Sequence, residues 1–180
     1  MLDIAVAYNQ YKFLGHEFLT WLWYAIDTSQ DDLFKDETGV PYIFIIGNRI
    51  VCENIVEDNT VESVTIKGDN AGLEEGLTAL KKGSIVTEMS LSLMYLDQTW
   101  EFNLKGENLH FTGLKHPATE KVQKKEDMEG ALLEKIYLYG KAVEIVDSAF
   151  KSFIRLRLSN TWKSVTADIR KWIESADQNP

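Results

Sequence analysis

Cysteine is all but missing from this 180-residue chain, Cys52 being the only one. A lone thiol forms no intramolecular disulfide, and within a strand-like pattern it reads as a small core residue suited to a reducing cytosol. Basic charge is scarce as well: 19 Lys and Arg stand against 28 Asp and Glu, a net charge of −9. That balance alone argues against a nucleic-acid binder. No hydrophobic run is long enough for a bilayer, since the greasiest stretch, Phe18 to Ile26, is about half of the ~20 residues a crossing needs. The first residues show no basic region followed by an apolar run and a small-residue cleavage site, so no secretory signal is expected and the reading is cytoplasmic. Low-complexity tails are also lacking, and the composition is that of an ordinary globular protein.

The familiar signatures of catalysis are absent too. There is no Gly-rich phosphate loop with its Lys, no G-x-G-x-x-G, no H-E-x-x-H, no Cys pair and no G-x-S-x-G elbow. His16, His110 and His116 are the only histidines, and nothing in their spacing brings them together, so none is assigned a role. The densest acidic cluster, Asp31, Asp32, Asp36 and Glu37, falls in an aperiodic loop and reads as solvated surface rather than a metal site. "KGDNAG" resembles a phosphate-binding turn, but without a following Lys and Ser/Thr it reads as a plain helix cap. No enzyme activity, cofactor or metal is expected.

What the chain does have is aromatic density and clear periodicity. In "LGHEFLTWLWYAID", Leu14, Phe18, Trp21, Leu22 and Ala25 form one helical face while Leu19, Trp23 and Ile26 form another nearly opposite it. One core covers only one such face. The second is expected to meet the long C-terminal helix or, alternatively, a second subunit. "VPYIFIIGNRIVCENIV" predicts a hairpin of Tyr42 to Ile46 and Arg49 to Val56 around Gly47-Asn48, with Pro41 opening the first strand and "VESVTIKG" as a third strand. "DNAGLEEGLTALKKG" predicts a short helix capped by Asp69 or Asn70, stopped at Gly83 and weakened by Gly72 and Gly76.

In "SIVTEMSLSLMYLDQTWEFNLKGENLHFTGL", Ile85, Thr87, Met89, Leu91 and Leu93 fall on one face, opposite Val86, Glu88, Ser90 and Ser92. Asp97-Gln98 and Gly106-Glu107-Asn108 divide this run into a three-stranded meander with Trp100, Phe102, Leu104, Leu109 and Phe111 toward the core. After the polar connector Lys115 to Asp127, the residues Leu132, Ile136, Tyr139, Val143, Val146, Phe150 and Phe153 make a heptad-like stripe. A break is expected at Ser159-Asn160, with Leu158, Trp162, Val165, Ile169 and Trp172 continuing the seam. The expectation is a single α+β domain over 1–180. A hairpin plus meander forms an antiparallel sheet (region 1–115) with the aromatic, middle and C-terminal helices (region 125–176) packed on it.

Charge is unevenly placed. Residues 1–119 hold 8 basic against 18 acidic side chains, whereas 120–180 hold 11 against 10. Lys151, Arg155, Arg157, Lys163, Arg170 and Lys171 accompany the single acid Asp168 in 151–171. Such a segment either tracks phosphates, with Trp162 or Trp172 for stacking and Lys81, Lys82, Lys121, Lys124 and Lys125 in support, or forms the solvated face of an amphipathic helix. Arg157 interrupts the apolar stripe, so it either pairs with a buried acid or marks where the helix leaves the core.

The order of "FLGHEFLTWLWY", "YIFIIGNRIVCEN", "LTALKKGSIVTEMSLSLMYLDQTWEFNLKGENLHFTGLKHP" and a long helix of the "ALLEKIYLYGKAVEIVDSAFKSFIRLRLSNTW" type resembles the recombination-associated protein RdgC family. The match covers nearly all of this chain and the later part of the longer bacterial members, whose additional N-terminal region has no counterpart here. What the resemblance implies is a non-enzymatic, nucleoid-associated protein that forms a homodimeric ring on duplex DNA and restrains the RecA recombinase. The exonuclease activity sometimes suggested for the family finds no site in this sequence. On that reading Lys151, Arg155, Arg157, Lys163, Arg170 and Lys171 are the DNA-binding candidates. The alternative is a protein-interaction or assembly domain that keeps the fold without binding DNA and works through its acidic first part.

Overall fold

The computed structural model describes residues 10–29, 34–55, 61–67, 71–119 and 128–175. The described elements are α1 (Phe13–Asp27), β1 (Tyr42–Ile55), β2 (Val61–Lys67), α2 (Ala71–Lys81), β3 (Ile85–Tyr95), β4 (Gln98–Lys105), β5 (His110–Lys115), α3 (Met128–Arg157) and α4 (Trp162–Glu174). The strands form one antiparallel sheet in the order β2-β1-β3-β4-β5. The architecture is α+β.

Alternation sets the sheet's two faces. Trp100, Phe102 and Leu104 of β4 are buried with Met89, Leu91 and Leu93 of β3, each side chain projecting to the same side at every second residue. The other face is uncovered among the described residues, with Ile43, Ile45 and Met94 exposed. At the start of β3 the predicted faces are exchanged: Val86 is buried and Ile85 exposed. The cause is a bulge, because Val51 faces Glu88 while Cys52 faces Val86, leaving Thr87 as the extra residue. One extra residue in a strand reverses every side chain beyond it.

The hairpin also lies elsewhere than predicted. Tyr42–Ile55 is one continuous strand, and β1 turns back into β2, pairing Ile55 with Val61. Gly47 and Asn48 form an irregularity between the pairs Ile46/Leu91 and Ile50/Met89. A tight two-residue hairpin turn needs left-handed backbone, and neither residue has a positive φ. Gly47 instead lies against Ser90, whose Oγ would be 2.5 Å from a Cβ at that position. At the far edge Gly113 (φ +64°) sits where β5 shifts register against β4. The β3–β4 turn is Leu96-Asp97, one residue earlier than expected, with Leu96 left-handed at φ 53°.

Helix α1 has Phe18, Leu19, Leu22, Trp23 and Ala25 fully buried and Trp21 nearly so. Its closest neighbour in the sheet is β3, and α3 and α4 pack over it. Phe18 meets Phe150 and Phe153 of α3 at 5.3 and 5.6 Å between ring centroids, and Trp23 meets Trp172 of α4 edge-on at 5.3 Å. Both greasy faces are therefore covered within one chain, by the sheet and by the C-terminal helices together. Arrangements of this kind let aromatic rings contribute beyond the area they bury. Gly15 places α1 flush on the β4–β5 turn, where a Cβ would collide with the Gly106 carbonyl. Gly76, which costs α2 intrinsic helicity, makes room for the Trp23 ring.

The loop before β1 is more ordered than its composition suggests. Phe34 is buried against Trp21, Tyr42 and Phe44. Asp36 accepts hydrogen bonds from the Thr38 hydroxyl (2.7 Å), the Thr38 and Val40 amides (2.9 Å each) and, through its other oxygen, the Tyr95 hydroxyl (2.7 Å). Asp31, Asp32, the predicted caps Asp69 and Asn70, and Lys121, Lys124 and Lys125 lie outside the described residues.

Candidate nucleic-acid interface

The late basic segment spans the last turns of α3, the corner 158–161 and all of α4. The corner is held by side-chain oxygens: the Ser159 hydroxyl donates to the Leu156 carbonyl (2.6 Å) and meets the Thr161 hydroxyl at 2.6 Å. Small hydroxylated residues offer the backbone such local bonds and so end helices. The predicted break falls at this point. Leu158, expected on the seam, is exposed instead, and the seam resumes at Trp162.

The six candidate cations divide into two sets. Lys151 pairs with Asp147 at 2.8 Å, Lys171 with Asp168 at 3.3 Å, and Arg157 Nε donates to Glu17 Oε2 at 2.6 Å. Each paired carboxylate cancels the charge a phosphate would meet. Arg157 also sits over the Phe13 ring at 5.4 Å, and the hydrogen bond it donates to Glu17 raises its pKa. It ties α3 to α1 across 140 residues of sequence, taking the pairing option, although its acid is half-exposed rather than buried. Arg155, Lys163 and Arg170 are exposed and carry no ion pair among the described residues. Lys163 and Arg170 are seven residues apart, two helical turns, and share a face of α4. Of the tryptophans suggested for stacking, Trp172 belongs to the core, its indole donating to Asp27 at 2.6 Å. Trp162 is half-buried and packs edge-on against Phe153.

The histidines remain apart in role. His16 Nδ1 lies 3.0 Å from the Val86 carbonyl, His116 Nδ1 lies 2.6 Å from the Pro117 carbonyl, and His110 is exposed at the start of β5. Among the described residues no group of three or more His, Cys, Asp and Glu is placed to hold a metal ion. Cys52 is fully buried, and burial pushes its thiol up to about 11, leaving almost no thiolate for nucleophilic work at neutral pH.

Two features were not visible in the sequence. A depression of about 750 Å3 gathers Lys12, Arg49 and Lys105 together with Glu53, Glu88 and Glu107, Arg49 pairing with Glu88 at 3.2 Å. Its residues come from separate elements, and its charges balance, so it offers no track for a polyanion. The second is the first half of α3, where the apolar stripe runs on beyond the core. Leu132, Leu133, Ile136, Tyr137, Tyr139 and Val143 are all exposed. The heptad spacing marked most of these positions as apolar, and only the structure shows that they are uncovered. No family model, curated protein or solved structure matches this chain.

Proposed function

We propose that the protein is a non-enzymatic, RdgC-like DNA-associated protein that contacts the phosphate backbone without reading sequence and works as a homodimer. The observation that carries this reading is the exposed trio Arg155, at the end of α3, and Lys163 and Arg170, on one face of α4, free of acidic partners among the described residues. Sequence-independent binding rests on such unneutralised cations, each displacing counterions from the duplex. Lys151, Arg157 and Lys171 take supporting parts, since each must first leave a carboxylate.

Fluorescence anisotropy with labelled duplex DNA across a salt series tests it. Three phosphate contacts give a slope of log K against log salt near −2.7 per chain, from about −0.9 for each phosphate. Replacing Arg155, Lys163 and Arg170 together by Glu is expected to abolish binding at low salt, whereas Arg157→Ala weakens stability more than affinity. Wild-type protein that shows no association at low salt overturns the reading. A second reading, an assembly domain with no DNA contact, is favoured by the uncovered apolar face of α3. Association with DNA that survives the triple substitution would count against both the trio and this alternative.

A further inference from the structure

The first ten residues of α3, 128–137, include none that is buried. Short helices without tertiary packing are marginal in water below about 12–15 residues, and Gly130 and Gly140 lower the propensity of this one further. Yet apart from Glu129, Glu134 and Lys135 its exposed side chains are apolar, and the apolar stripe runs on to Val143. Leu132, Leu133, Ile136, Tyr137, Tyr139 and Val143 are between 40% and 64% exposed. At about 100° per residue they share one side of the helix, turned away from Leu138, Ala142 and Ile145, which face the core. Gly140 lies in the middle of this side, and a Cβ placed there would meet nothing within 4 Å.

We propose that this face is the surface by which two copies of the chain pair, through antiparallel contact of their α3 helices with Gly140 near the two-fold axis. Two arguments choose a second copy as the occupant. Six half-exposed apolar side chains present on the order of 500 Å2, the size of the largest, often functional, patch on a monomer, and an isologous pairing doubles this to the roughly 1,000 Å2 a specific interface requires. Charge is compatible with the same arrangement: Glu129 and Lys151 are each eleven residues from Gly140, so antiparallel crossing there sets Glu129 of one copy opposite Lys151 of the other at both ends, where Lys151 must share itself between Glu129 and its own Asp147. Gly140 at the crossing lets the two backbones approach, with Ile136, Tyr137 and Val143 packing around it. The inference deepens the dimeric part of the proposed function, rests on that part, and is independent of DNA.

Light scattering and sedimentation over a range of protein concentrations test it. Wild-type protein is expected at twice the chain mass. Ile136→Asp, at a site exposed in the single chain, should weaken association about 100-fold or more with the circular dichroism of the remaining fold retained. Gly140→Leu should leave the monomer folded and weaken pairing about tenfold or more by holding the helices apart. Glu129→Lys should weaken pairing several-fold, and adding Lys151→Glu should restore it. A monomeric wild type overturns both the inference and the dimeric reading, including the case where the stripe instead binds vesicles or another protein. A dimer indifferent to Ile136→Asp and Gly140→Leu overturns this surface while leaving a dimer by another route.

Discussion

Asp36 shows how much one side chain can organise. The Thr38 hydroxyl and then the Tyr95 hydroxyl, with the Val40 and Thr38 amides, hold its carboxyl well below the usual carboxylate range. A depressed folded pKa stabilises the native state above the unfolded value of about 3.9, and that contribution fades as pH falls toward the lower folded value. Asp36→Asn is therefore expected to lower the melting temperature at pH 7 and to lose most of that deficit by pH 2. Melting curves of both proteins across this range check it, and a gap independent of pH would refute the assignment. None of this was legible in "DTSQDDLFKDETG", which reads as solvated loop because its partner Tyr95 lies 59 residues away. The same holds for Arg157: the sequence marked it as out of pattern, but Glu17 could not be named from a separation of 140 residues. Cys52 is the opposite case, read from its neighbours as core and found there.

At the scale of elements, periodicity told helix from strand and failed where backbone detail decides. The alternation of β3 was plain, but the extra residue at Thr87 that exchanges Ile85 and Val86 has no sequence mark. Gly47-Asn48 has the chemistry of a hairpin turn, and close packing on Ser90 turned it to another use. Glycine in α1 answers to contact rather than conformation. Gly15→Ala, though it raises intrinsic helicity, should destabilise the protein by about 1–3 kcal/mol, because the obstructing atom is the Gly106 backbone and cannot swing away. Chemical denaturation measures this, and a neutral or stabilising Gly15→Ala would mean that α1 and the β4–β5 turn are not in contact. The aromatic helix itself was legible as doubly greasy. Its covers, the sheet together with α3 and α4, required the fold.

For the whole molecule, the sheet region and the C-terminal helices share one core through Phe18, Phe153, Trp23 and Trp172. Unfolding should therefore be a single cooperative event. Tryptophan fluorescence, reporting Trp21, Trp23 and Trp100 in the interior, and far-ultraviolet dichroism, dominated by the helices, are expected to change together with denaturant. Separated midpoints would divide the chain near the polar stretch Lys115 to Asp127. The α+β class and the order of elements were readable because they rest on burial patterns of many residues each. The basic segment was readable as a charge count but not as a surface, since ion pairing depends on which acids arrive beside it. The kink at Gly113 carries a last consequence. β5 is an outer strand of the sheet, and an outer strand left straight offers its unpaired amides and carbonyls as a template for stray chains. A left-handed glycine and the register shift beside it bend that edge out of line. An edge interrupted in this way is a poorer template for an added strand than a straight one.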